Sequence, residues 1–283
     1  MKNNKKGLIY YGDCLDVLEN IPSNSIDLIV TSPPYAKARM HSYGGIHPDK
    51  YVSWFSRRAL HFHRVLKPTG SFVLNIKEHA EKGERHPYVA DLVVALRRFI
   101  GFCLIDEYIW CKENVMPGRW TTRFRDGFER VYHFAKEVNC KFNQESVMVP
   151  IGTWAKRLDN PRRADFVRLT PKLNPQVGRR ALNWKDKEFV YPTNVLHMNP
   201  VNRATGHSAA FPDGIPEFFI KLLTDKKDIV LDPFAGSGTT GRVAGKLDRK
   251  FIMIDIFKDS IKVQKNDKEL MSYVSRIKSV PKA

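Results

Sequence analysis

Seven short apolar runs narrow what this chain can become: "LIYY" (8–11), "DLIV" (27–30), "SFVLNI" (71–76), "CLIDEYIW" (103–110), "ERVYHFA" (129–135), "DIVLD" (228–232) and "FIMID" (251–255). Most are near-continuous rather than alternating, the pattern of strands covered on both faces. Helical periodicity fills the gaps at 50–66, 87–99, 214–224, 239–247 and 258–277. Strand alternating with helix predicts an α/β fold, a parallel sheet with right-handed crossovers and helices on both faces. Residues 138–200 break the alternation. They are rich in Pro, Arg, Asn and Trp, and read as an insert between core segments 7–137 and 201–283.

The insert also carries the charge. The chain has a formal net charge of +17. From Lys156 to Lys187 there are ten Lys/Arg against three Asp/Glu, a local excess of +7. A balance this basic favours a polyanion as partner. Nucleic acid suits the segment better than a membrane surface, because it has several prolines and no amphipathic period. No window of 18 apolar residues predicts a membrane span. The start, "MKNNKKGLIYYGD", lacks the apolar run of a signal peptide. Four cysteines without a CxxC pair read as thiols of a reducing cytoplasm, with no metal site. His61 and His63 fall on a predicted helix and read as structural, and Trp54 and Trp120 as core or interface residues.

"DIVLDPFAGSGTTGRVAGKL" holds the most local information. A strand ends in Asp232, a turn carries Gly236 and Gly238, and a helix begins near Thr239. Glycines permit the tight turn and a close ligand, and free N–H groups at the helix start favour an anionic group. A P-loop would need Lys-Ser/Thr after its last glycine, which is absent here. Asp255 ends the next strand, 23 residues after Asp232, where a carboxylate accepts from ribose hydroxyls. Together these features mark a nucleoside site, and spacing leaves open NAD or another adenosine compound.

"TSPPY", Thr31 to Tyr35, is the second chemical signal: two prolines stop a strand and an aromatic ring follows. With "DPFAGSGTTG" in the same chain, it resembles the amino-methylating DNA methyltransferases. The catalytic motif precedes the cofactor motif with a basic insert between them, the order of the beta group of restriction-modification enzymes. The resemblance implies a circularly permuted Rossmann-like methyltransferase sheet with a small DNA-recognition insert. It also implies S-adenosylmethionine as cofactor and cytosine N4 or adenine N6 as the methylated amine. Through it, Ser32, Pro33, Pro34 and Tyr35 are assigned to catalysis. Asp13, Thr31, Phe211, Asp232, Pro233, Phe234, Gly236, Gly238 and Asp255 are assigned to the cofactor. Asp13 comes from "YYGDCLDVL" and Phe211 from "GHSAAFP", where Ser208 replaces the family's usual proline. Arg119, Arg123, Arg162, Arg163, Arg179 and Arg180 are expected on DNA.

A target base inside a duplex must be flipped out, at about a few kcal/mol. Stacking on the Tyr35 ring, at about 1–3 kcal/mol, is of similar size. In this family Ser at the first catalytic position accompanies cytosine N4, and Asp or Asn accompanies adenine N6, so cytosine leads and adenine is the alternative. The resemblance further implies duplex DNA as substrate, a cognate restriction endonuclease, a monomer or homodimer, and the cytoplasm. Three rivals are a non-catalytic DNA-binding partner, an NAD-dependent oxidoreductase and an RNA methyltransferase. The intact TSPPY opposes the first. The charge opposes the second, which also lacks an evident catalytic His or Tyr–Lys pair.

Overall fold

All seven apolar runs form strands in the computed structural model, which describes residues 6–37, 45–115, 117–118, 121–152, 187–200 and 212–280. In chain order the strands are β1 Gly7–Tyr11, β2 Ile26–Thr31, β3 Leu66–Ile76, β4 Ala80–Glu81, β5 Glu84–Arg85, β6 Cys103–Cys111, β7 Phe128–Ala135, β8 Val149–Pro150, β9 Phe189–Val190, β10 Val195–His197, β11 Ile229–Asp232, β12 Lys250–Asp255 and β13 Val274–Ser279. The helices are α1 Cys14–Glu19, α2 Pro48–Val65, α3 Tyr88–Ala95, α4 Gly214–Leu223, α5 Thr239–Lys246, α6 Lys258–Asn266 and α7 Lys268–Tyr273. By contacts the chain divides into two units, residues 144–193 and the remainder. In the smaller unit β8 pairs antiparallel with β9.

The larger unit holds one sheet in the order β10-β6-β7-β3-β2-β11-β12-β1-β13. Its neighbours are parallel except around β7, which runs against both β3 and β6. Two consequences position the site. Strands β2 and β11 are adjacent although most of the chain separates them, and the order reverses there. Open α/β sheets bind ligands outside the carboxyl ends of the strands at such a point. Because β7 is reversed, its first residues reach the edge where the parallel strands end.

Burial explains the elements. All six residues of β2 are buried, as expected of a central strand. Helix α2 turns Tyr51, Phe55, Ala59, Phe62 and Val65 inward at helical spacing, starts at Pro48, and places exposed side chains opposite. Its Phe55 and Phe62 meet Phe72 of β3, which stacks on Phe134 of β7 with centroids 5.8 Å apart. Each fully buried ring of this kind stabilises the fold by about 1.5–3 kcal/mol. Among the described residues no helix is long and apolar enough to cross a membrane.

One expected helix changes. The periodicity over 258–277 covers α6, α7 and the start of β13. Asp267 breaks it, because its carboxylate accepts from the Leu270 N–H and caps a new helix. The chain then extends as a parallel edge strand beside β1. Helix α3 passes into a π-helical turn, Leu96–Ile100, closed by Gly101 at φ 96°.

Candidate active site

The glycine turn follows β11. Gly238 has φ 89° and precedes α5, where a side chain would be strained and would lie 2.7 Å from Leu270 Cδ2. At Gly241 a Cβ would overlap Met253 of β12, so this glycine lets α5 press on the sheet. Asp232 is buried and fixes the turn. Its Oδ1 accepts from Thr31 Oγ1 at 2.6 Å and from the Phe234 N–H at 3.1 Å. Its Oδ2 accepts from Thr240 Oγ1 at 2.7 Å. Burial pushes its pKa up to about 6 against these donors. The Thr31 bond joins the cofactor turn to the TSPPY corner.

Asp255, at the end of β12, accepts from the Gly236 N–H at 2.7 Å and the Phe257 N–H at 2.8 Å. Burial raises its pKa to about 6 as well. A carboxylate has about four acceptor positions, so these donors leave room for a hydroxyl. Gln264, fully buried, donates to the Gly236 carbonyl at 2.8 Å. On the β1 side, Asp13 caps α1 through the Leu15 N–H and pairs with Arg58 at 3.2 Å. The Arg58 guanidinium lies 4.2 Å from the Trp54 ring centre, and Trp54 meets Phe234 at 5.7 Å. A glycine cradle, an acidic strand end and an aromatic wall fit an adenosine-bearing cofactor. Asp13, Asp232, Phe234, Gly236, Gly238 and Asp255 border it, and Pro233 is buried in the turn.

The TSPPY corner is held by a polar cluster. Tyr51 donates to the Pro34 carbonyl at 2.9 Å. Pro33 is buried, and among the described residues its carbonyl has no hydrogen-bond partner. The Tyr35 hydroxyl donates to Glu129 Oε2 at 2.7 Å and lies 3.1 Å from Ser32 Oγ. Asn75 Nδ2 reaches Tyr35 OH and Glu129 Oε2 at 2.9 Å and Ser32 Oγ at 3.3 Å. Lys112 Nζ pairs with Glu129 Oε1 at 2.6 Å. Burial and the Glu129 charge hold the Tyr35 phenol well above its usual pKa, so it stays a donor. Its single proton goes to Glu129. Ser32 therefore donates to Tyr35 and keeps lone pairs for a substrate amine.

Sequence reasoning did not find Asn75, Glu129 or Lys112. A signal existed: Asn75 interrupts one apolar strand run and Glu129 opens another, and both are buried, which costs free energy unless they are paired. Arg58 was missed because its partner Asp13 is 45 residues away. Of the residues expected on DNA, Arg123 is half-buried and pairs with Asp126 at 3.2 Å. Arg119, Arg162, Arg163, Arg179, Arg180 and the cofactor candidate Phe211 lie outside the described residues.

Comparison with known proteins agrees with this arrangement. A family model described as DNA methylase matches residues 26–266. The Type II methyltransferase M.PvuII of Proteus hauseri is 32% identical over 274 residues, covering 88% of this chain and 80% of that protein. The DNA adenine methyltransferase YhdJ of Escherichia coli K12 is 26% identical over 278 residues, covering 96% and 86%. Among solved structures, the cytosine-N4-specific PvuII DNA methyltransferase aligns with TM-score 0.70 at 25% identity, covering 98% of this chain and 96% of that one. A Thermus thermophilus protein solved with S-adenosyl-L-methionine aligns with TM-score 0.63 at 20% identity, covering 98% and 99%. The chain belongs to the DNA methylase family and is an S-adenosylmethionine-dependent amino-methyltransferase of restriction-modification type.

Proposed function

We propose that this enzyme methylates the exocyclic N4 amine of a cytosine flipped out of duplex DNA at a specific sequence. The observation that carries the reading is the Ser32–Tyr35–Glu129 hydrogen-bond chain beside Thr31 and Asp232. S-adenosylmethionine supplies an electrophilic methyl group when bound. Asp13, Phe234, Gly236, Gly238 and Asp255 would hold it.

The exocyclic amine is a poor nucleophile because its lone pair is delocalised into the base. Ser32 Oγ and the Pro33 carbonyl are acceptors suited to its two N–H bonds. Acceptance there localises the lone pair, and the prolines keep both oxygens in place without adding a competing donor. The amine must lose a proton as it gains a methyl group. Ser32 Oγ can take that proton while its own passes to Tyr35 and the tyrosine proton passes to Glu129 Oε2. Lys112 pairs with the other Glu129 oxygen and leaves Oε2 to the tyrosine. The face of the Tyr35 ring serves the flipped base as a stacking surface.

Ser32 and the structural match to the cytosine-N4-specific PvuII enzyme support cytosine, and the match to an adenine enzyme keeps N6 as the second reading. Residues 138–200 are the proposed target-recognition region between core segments 7–137 and 201–283. A cognate endonuclease acting on the same sequence, and a cytoplasmic location, complete the proposal. To test it, the protein is incubated with S-adenosylmethionine and mixed-sequence DNA. The products are then sequenced by a method that separates N4-methylcytosine from N6-methyladenine. Methylcytosine at one recurring site is expected, and methyladenine there would replace the cytosine reading.

A further inference from the structure

The segment joining β6 to β7 holds a feature that catalysis does not use. Phe124 is 94% exposed, the most exposed of the large apolar side chains among the described residues. An aromatic ring standing free in water gains nothing for the folded protein.

The backbone around it is braced. Asp126, two residues on, pairs with Lys77 at 2.7 Å, with Arg123 at 3.2 Å and with Arg85. Against the raising effect of burial, Lys77 and Arg85 hold the Asp126 carboxyl down at about 2. Arg125 Nη1 donates to the Val115 carbonyl at 3.2 Å. Thr122 packs on Gly83 in the β4–β5 turn, its Oγ1 2.8 Å from where a Cβ would lie. The ring is thus exposed on a pinned segment.

Its place is set by the same contacts. Lys77, which anchors Asp126, stands two residues after Asn75, and Glu129 follows Phe124 by five. Both of those side chains belong to the catalytic cluster. Five extended residues span at most about 18 Å, and five base-pair steps rise about 17 Å. The ring therefore lies within a half-turn of duplex from the corner that would receive the base.

We propose that Phe124 is a wedge that enters the DNA stack where the target base leaves it, filling the vacancy and slowing the return of the base. The inference rests on the reading that the base is flipped out. An apolar ring can stack on any base, so this contact adds to extrusion and carries no sequence information.

Duplexes carrying the mapped site test the idea, with the target either correctly paired or mispaired. Wild type, Phe124→Ala and Phe124→Trp are compared by transfer of labelled methyl, together with cofactor binding and thermal midpoint. Phe124→Ala should lose about 10- to 100-fold in kcat/KM on the paired duplex, about 1.4–2.7 kcal/mol at 1.36 kcal/mol per tenfold. It should return to within about threefold of wild type on the mispaired duplex, where extrusion costs less. Phe124→Trp should keep most activity on both, and cofactor binding and midpoint should not move. Equal losses on both duplexes, or no loss on either, would overturn the wedge. Label is counted on whichever base carries it, so adenine methylation would correct the target base and leave the wedge supported or refuted on its own result.

Discussion

The proposed mechanism gives Tyr35 two jobs in one side chain, and they can be separated. Its ring face suits a flipped base, while its hydroxyl passes the negative character of Glu129 to Ser32. Tyr35→Phe keeps the face and cuts the chain. Losing one general acid–base path costs about 10²–10⁴-fold in rate, and the Pro33 carbonyl remains, so the expected fall in kcat is about 10²-fold. Cofactor affinity should be unchanged by calorimetry, since the Tyr35 hydroxyl bonds Ser32, Glu129 and Asn75 rather than the glycine turn. Tyr35→Ala should fall further and also raise KM for DNA. A Tyr35→Phe enzyme at full speed would remove the relay from the mechanism and leave Tyr35 a stacking platform. The corner was legible in sequence because TSPPY is local and, together with DPFAGSGTTG, carried the resemblance to the amino-methylating enzymes. Glu129 and Asn75 were not legible as partners, because only the pairing of β7 with β3 brings them together.

At the level of elements, Asp232 fastens β11 to the end of β2 and to the first turn of α5. It does so as a buried carboxylate with its pKa raised to about 6 from an ordinary 3.8. For a group raised in this way, the stabilising contribution is complete below pH 3.8 and disappears as pH climbs through 6. Ionisation at neutral pH thus costs the fold up to about 3 kcal/mol. Asp232→Asn removes this dependence. Asp255 is present in both proteins and largely cancels. Denaturant unfolding at pH 4.5 and 7.5 should show the variant gaining on wild type by about 1–3 kcal/mol as pH rises. A constant difference between the two proteins would mean that Asp232 titrates normally. Most elements were readable from their periods. The exceptions were α1 and the two- and three-residue strands, too short for a period to declare itself, and 258–277, where a helical period hid the break between α6 and α7 and the start of β13. Asp13 caps α1 and Asp267 caps α7.

Across the whole molecule, the proposed catalytic cluster stands at the carboxyl ends of the parallel strands, and the densest positive charge in the sequence falls in 156–187. The net charge of +17 predicts salt-sensitive binding whatever the sequence read. Replacing two of Arg162, Arg163, Arg179 and Arg180 with alanine should flatten the slope of log K against log salt by about 1.8 if both meet phosphates. Methylation at low salt should fall less than at high salt. An unchanged slope would move the DNA contact elsewhere. The sequence located this charge but held no signal for which arginines meet bases, since base readout depends on side-chain placement in a groove.

The bond between Thr31 and Asp232 spans 201 residues of chain. Ribosomes make "IDLIVT" long before "DIVLD". Until then β2 has no partner on one side, and an apolar strand with a bare edge is a template for wrong pairing. The same interval keeps the enzyme silent, because no chain cut short before β11 carries both halves of the pocket. A nascent methyltransferase of this topology is therefore inactive by construction and most exposed to aggregation during its own translation. Two fragments divided within 144–193 would each hold one half, a natural seam for making methylation depend on their meeting.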